Sequence, residues 1–106
     1  MGRFLGLASI TILAALESRR CYGLDIIDRT GLLAGTVYTT LRRMEKKGLV
    51  AGRWEDADIA EEERRPRRRY YTLTAEGAAE LNQARTRMKH LMPEGTAGHT
   101  PREQKA

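Results

Sequence analysis

Four cations fall within six residues, Arg42, Arg43, Lys46 and Lys47, and the hydroxyl-bearing side chains Thr36, Tyr38 and Thr39 precede them. Guanidinium and ammonium groups collected on one side of a helix suit phosphate, and hydroxyls at its start can reach phosphates or base edges. At 100° per residue, Val37, Leu41 and Met44 turn to one side while Thr39, Arg42, Arg43 and Lys46 gather on the other, with Tyr38 on the flank. The pairs Arg42/Lys46 and Arg43/Lys47 are like charges at i,i+4, each costing an isolated helix about 0.2–0.5 kcal/mol. A phosphate backbone would relieve that repulsion. The alternative is a solvated basic face, eased by Glu45 and by the negative end of the helix dipole.

A second group follows. Residues 51–73 hold equal numbers of arginines and acids, but the acids run up to Glu63 while Arg64, Arg65, Arg67, Arg68 and Arg69 come after it. Arginines along one edge of a hairpin can follow a duplex and touch phosphates or the minor groove. Alternatively, Glu61 to Glu63 neutralise them locally and leave a solubilising loop. Other chemistry finds little footing. His90, His99 and the lone Cys21 have no zinc-like spacing, and no nucleophile-elbow, P-loop, dinucleotide or HExxH string is present. Ser9 and Ser18 lack a nearby His or Cys partner, and consecutive glutamates on a loop point in different directions. Neither an enzyme, a metal site nor a cofactor is expected.

The elements that position these groups must come from 106 residues, 41% hydrophobic and 31% charged, with a net charge of +5. That suits one compact domain, leaves no room for a multi-domain enzyme and favours polyanionic partners. A domain of this size buries only about 60–65% of its unfolded surface, so a second copy is an early expectation. Without an internal disulfide the chain fits a reducing, cytoplasmic compartment. The uncharged run Phe4 to Leu16 superficially copies a secretory signal, but it is shorter than the roughly 20 residues of a membrane span and no A-x-A site follows. Met1-Gly2 resembles a myristoylation start, but Gly6 stands where Ser or Thr is wanted. The run reads as a first helix, apolar around most of its circumference, because Phe4, Leu5, Leu7, Ala8, Ile12 and Leu16 cannot share a narrow stripe.

After Arg20, YGLDIIDRTG is helical in pattern and stops at Gly31; LLAGTVYTTLRRMEKKG forms the third helix and closes at Gly48. Leu49 to Asp56 and Arg67 to Leu73 read as two strands, and ADIAEEERRP between them reads as an exposed loop. Alternation puts Tyr71 and Leu73 on one face of the hairpin and Tyr70 and Thr72 on the other, so one tyrosine belongs to the core. Thr74 caps a final helix from Ala75 to about Met92, with Ala78, Leu81, Ala84, Met88 and Leu91 along one face, and Pro93 ends it. Residues 93–106 lack large apolar side chains and read as a disordered tail. The order is mainly α with a small β-hairpin wing: a winged helix-turn-helix over 1–73, a C-terminal dimerisation helix over 74–92, then the tail. Phe4, Leu5, Leu7 and Ala8 with Leu81, Ala84, Met88 and Leu91 expose more hydrocarbon than one small domain can cover, which predicts a homodimer joined there.

YGLDII at the second helix, GTVYTTLRRMEKKGLV through the third into the first strand, Trp54, and RPRRRYYTLTAEG into the last helix together resemble the PadR family of transcriptional regulators. The resemblance spans about Phe4 to Leu91 and is to the short subgroup with one C-terminal helix. It implies a dimeric winged-helix repressor on an inverted-repeat DNA operator, with the third helix in the major groove, the wing beside it, and the first and last helices in the dimer contact. It also implies Thr36, Tyr38 and Arg43 as DNA-facing or backbone-positioning residues, Tyr22 as a phosphate contact near a helix start, and Arg67, Arg68 and Arg69 as wing contacts. The chain departs from the family pattern at Ala34, where a helix-capping residue is often found, and in the longer, acidic segment Ala57 to Arg65. The last helix has no aromatic residue to build a ligand cavity, so a small-molecule effector is left without a candidate site, and Trp54 reads as packing rather than a ligand platform. A protein-interaction module, or an architectural module binding DNA without sequence choice, stays open as the alternative.

Overall fold

Ile12, Leu13, Ile26, Val37, Leu41 and Leu81 are fully buried and come from four different helices, so a single apolar cluster defines the arrangement. In a computed structural model that describes residues 5–91, the elements are α1 (Leu7–Ala15), β1 (Cys21–Tyr22), α2 (Gly23–Thr30), α3 (Ala34–Lys46), β2 (Val50–Trp54), α4 (Ala57–Glu62), β3 (Arg69–Leu73) and α5 (Ala75–Leu91). The fold is mostly helical with a small three-stranded antiparallel sheet in the order β1-β3-β2. No helix among the described residues is long and apolar enough to cross a membrane.

The third-helix pattern translates directly into packing. Val37, Leu41 and Met44 are buried, joined by Thr40, while Thr39, Arg42, Arg43 and Lys46 are exposed. Leu33 is the N-cap and supplies no side-chain hydrogen bond; the helix starts at Ala34 itself. Its end is better defined. The Gly48 N–H donates to the Glu45 carbonyl at 3.0 Å and the Leu49 N–H to the Met44 carbonyl at 2.9 Å, with Gly48 at φ 79°. This is a Schellman closure, and the left-handed position explains the glycine.

Three sequence expectations are corrected here. The second helix begins one residue after Tyr22, because Cys21 and Tyr22 pair with Tyr71 and Tyr70 as a short edge strand. A two-residue strand carries no periodicity, so nothing local announces it. The segment Ala57 to Glu62 is a helix rather than an exposed loop: the Asp56 carboxylate accepts from the Asp58 N–H at 3.2 Å, and Ala60 is buried. An N-capping Asp followed by Ala and Glu is sound helix chemistry that the charge density obscured. The strands are also shorter than the apolar patterns suggested, with register Val50↔Leu73 to Trp54↔Arg69. Tyr71 and Leu73 pack against the core, as alternation requires.

The join between the wing and α5 is tight. The Thr74 hydroxyl shares its single proton between the Gly48 and Leu49 carbonyls, at 2.7 and 2.9 Å, and accepts from the Gly77 N–H at 2.9 Å. Gly77 is buried, and a Cβ there would run into the Leu49 carbonyl oxygen. We expect Gly77→Ala to cost about 3 kcal/mol, the upper end for overpacking, and to lower the melting temperature by roughly 10–20 °C. Gly35→Ala, in helical backbone with open space around it, should be neutral or stabilising in the same thermal melt.

Candidate nucleic-acid interface

The outer side of α3 is a basic strip. Among the described residues, Arg42, Arg43, Lys46 and Lys47 are exposed and none has a carboxylate within ion-pair distance. Thr39 lies among them, and Thr36 is half-buried at the helix start. Tyr38 is 42% exposed, its ring against Gly23 at the start of α2. Glu45 occupies the same flank as Tyr38, two turns later, and is bound by the Arg69 guanidinium at 2.8 Å.

The wing arginines divide by partner. Arg65 grips the buried Glu55 carboxylate with two nitrogens, at 2.7 and 2.8 Å, and reaches Glu63 at 2.9 Å. Arg67 donates through Nε to the Glu55 carbonyl at 3.0 Å, with its guanidinium 5.7 Å from the Trp54 ring centre. Arg68 lies 4.1 Å over the Tyr22 ring and touches the Tyr70 hydroxyl at 3.3 Å. Arg69 sits 5.4 Å from Trp54 and 5.8 Å from Tyr71. The sequence placed Arg67, Arg68 and Arg69 together as contacts along one edge; the structure keeps all three on the lining of one cleft but gives Arg69 a carboxylate partner on α3 that Arg67 and Arg68 lack.

Tyr22 is a stacking partner, edge-on to Tyr70 at 5.4 Å and covered by Arg68. Arg20, which the sequence reading missed, covers Tyr70 from 3.9 Å. A cleft of about 400 Å³ lies between the α2 start, Tyr38 and the wing, lined also by Trp54, Arg67 and Arg68. Trp54 is 54% exposed on its wall, so the expectation of a packed tryptophan is overturned. Its neighbours across the strand are arginines, and an indole face is a good surface for a guanidinium. Glu55 was also missed. Lying one residue after the strand, it draws no attention until Arg65 and the Arg68 N–H, at 3.1 Å, converge on it from the segment that leads into β3.

The residues named for self-association fall into two groups. Leu7 and Leu91 are exposed, 73% and 76%, and Met88 is partly so, while Leu5 and Ala8 are half-buried. Leu81 and Ala84 are buried within the protomer's own core, which corrects the idea that the whole α5 stripe is open. The helix passes over α1 before its apolar side emerges. Phe4 and the tail residues 93–106 lie outside the described residues.

Comparison with known proteins agrees with this architecture. The family model described as the transcriptional regulator PadR-like family matches residues 12–83. The chain is similar to a PadR family transcription regulator from hypervirulent Clostridium difficile, with 31% identity and TM-score 0.72, covering 81% of this chain and 91% of that one. A PadR-like transcription factor from Bacteroides fragilis shows 26% identity and TM-score 0.71, over 81% and 84% of the two chains. Bacillus subtilis PadR in complex with operator DNA shares the fold at 20% identity and TM-score 0.64, over 74% and 46%. A search of curated proteins finds no significant match.

Glu55 gives the wing a pH signature. Hydrogen bonds from the Arg65 guanidinium, opposed by burial and helped by the Arg68 N–H, hold its carboxyl at about 2 instead of the ordinary 4.5. The unfolded chain therefore binds the proton first, so the stability Glu55 contributes is complete above about pH 4.5 and disappears as pH falls toward 2. We expect Glu55→Gln to be less stable at pH 7 and to lose less further stability than wild type between pH 5 and 2. Glu17, lowered by its hydrogen bond from Arg85, acts in the same direction and leaves a residual slope in both proteins. Thermal melts across that range check the difference.

Proposed function

The chain belongs to the PadR-like family of transcriptional regulators, and from that premise we propose that it is a cytoplasmic, sequence-specific DNA-binding repressor that works as a homodimer. One observation carries the reading: Arg42, Arg43 and Lys46 form an exposed strip without carboxylate partners on a helix whose opposite side is locked into the core. Such a strip is costly to leave unmatched and suited to a phosphate backbone, while Thr36, Tyr38 and Thr39 near the helix start present hydroxyls to base edges or phosphates. Arg67 and Arg68 extend the cationic surface on the wing side, with Tyr22 beneath Arg68.

The dimer is supported by the apolar side chains that the protomer leaves open, Leu7 on α1 with Met88 and Leu91 on α5. A second copy would cover them. Two-fold pairing would present the two α3 helices to successive major grooves, about 34 Å apart, and so to an inverted repeat.

Selection of bound fragments from random DNA tests the reading. It should enrich a two-fold symmetric sequence that resists competition by random DNA by a factor of about 10³ or more. Equal competition would instead favour an architectural module. Arg43→Ala and Lys46→Ala should each weaken binding and reduce the salt slope by about one; an unchanged slope removes those residues from the interface. Sedimentation at micromolar concentration should give a dimer, and Leu91→Glu should shift it toward monomer.

A further inference from the structure

We propose that Glu45 and Arg69 are the positioning pair of this surface: they fix the wing against α3, and Arg69 does so in place of touching a phosphate. The proposal rests on the DNA-binding reading. Glu45 is an acid on the helix offered to a polyanion, where its charge alone opposes binding. Its carboxylate accepts from the Arg69 Nη2 at 2.8 Å, joining residues 24 apart in sequence. Neither partner is fully open: the Arg69 side chain is 30% exposed and that of Glu45 34%.

The guanidinium is held on several sides. Trp54 and Tyr71 lie 5.4 and 5.8 Å away, and the backbone of Gly52 lies so close that a Cβ there would come within 2.8 Å of the Arg69 Nε. A flat, rigid fork fits between rings and a carboxylate in a way that an ammonium does not. The location also matters. The hairpin joins α3 through Gly48 and Leu49 at its Val50↔Leu73 end, whereas Arg69 pairs with Trp54 four residues along, roughly 13 Å away at strand spacing. The edge strand β1 also holds β3, through Cys21↔Tyr71 and Tyr22↔Tyr70, but it ties the wing to α2 and not to α3. The Arg69–Glu45 bond ties the far part of the hairpin to α3 itself, so Arg67 and Arg68 keep a set distance from Arg42 and Lys46.

The two roles for Arg69 give opposite signs. As a phosphate contact, Arg69 would tolerate Lys and lose about one unit of salt slope on replacement by Met, and Glu45→Ala, by removing a negative charge, would tighten binding. As a positioning pair, Glu45→Ala should weaken binding to the fragment selected by the wild-type protein by about tenfold with the salt slope unchanged, while a random duplex binds equally or more tightly. Glu45→Gln, which keeps an acceptor oxygen, should fall between, and it replaces the alanine variant should that fail to fold. Arg69→Lys should lose affinity for the selected fragment despite its retained charge.

Tighter binding by Glu45→Ala, or an Arg69→Met variant whose salt slope falls by one, overturns the positioning role and leaves the DNA reading intact. A wild-type protein that enriches no fragment overturns both.

Discussion

Everything in this molecule depends on α3 being gripped from one side only. Val37, Thr40, Leu41 and Met44 are taken into a core made with α1, α2 and α5, and this burial fixes the rotation of the helix about its axis. A rotation of 100°, one residue's worth, would bring a charged side chain inward and an apolar one out, so the apolar stripe sets where Arg42, Arg43 and Lys46 point. The helix therefore needs no strong cap at Leu33 to hold its position. Tertiary packing does what the missing N-terminal hydrogen bond would have done.

The arginines show how one residue type serves two ends. Arg65 and Arg69 are bound to carboxylates, Glu55 and Glu45, and tie strands or helices together. Arg42 and Arg43 have no such partner among the described residues. All four wing arginines line the cleft, and Arg67 and Arg68 do so without a carboxylate partner, steadied by aromatic faces and a backbone carbonyl. Salt should separate these sets. Added ions screen an exposed strip strongly and a bidentate, half-buried pair weakly, so in the proposed DNA-binding reading the salt that would release DNA leaves the wing assembled.

Helix periodicity made the inner and outer sides of α3 legible in the sequence, because they follow from residue spacing alone. Gly31, Gly48 and Thr74 were equally readable, since a left-handed stop and a capping hydroxyl are local chemistry. The edge strand at Cys21 and Tyr22, the pairing of Glu55 with Arg65 and the reach of Arg69 to Glu45 were not. Each joins residues that are close only after the chain has folded. Charge counting treated residues 51–73 as neutral and their order as a segregated run; folding turns that order into specific pairs, with Glu55 rather than Glu61 gripping Arg65. Trp54 was misread for a related reason: amphipathic bulk predicts burial on average, but here the opposing face is arginine.

The division of α5 links the two surfaces. Its first turns are fixed through Gly77, Leu81 and Ala84 against Leu49 and the core, and Leu91 emerges about 15 Å further along, at 1.5 Å per residue from Leu81. Continuous α-helix is stiff over that length, so its direction past the core is inherited from the Gly77 contact. In the proposed dimer, the same contact that seats α5 beside the end of α3 would also set the angle at which a second copy meets it. The spacing of two basic strips on DNA would then be determined inside each protomer, at a backbone approach close enough to admit no side chain.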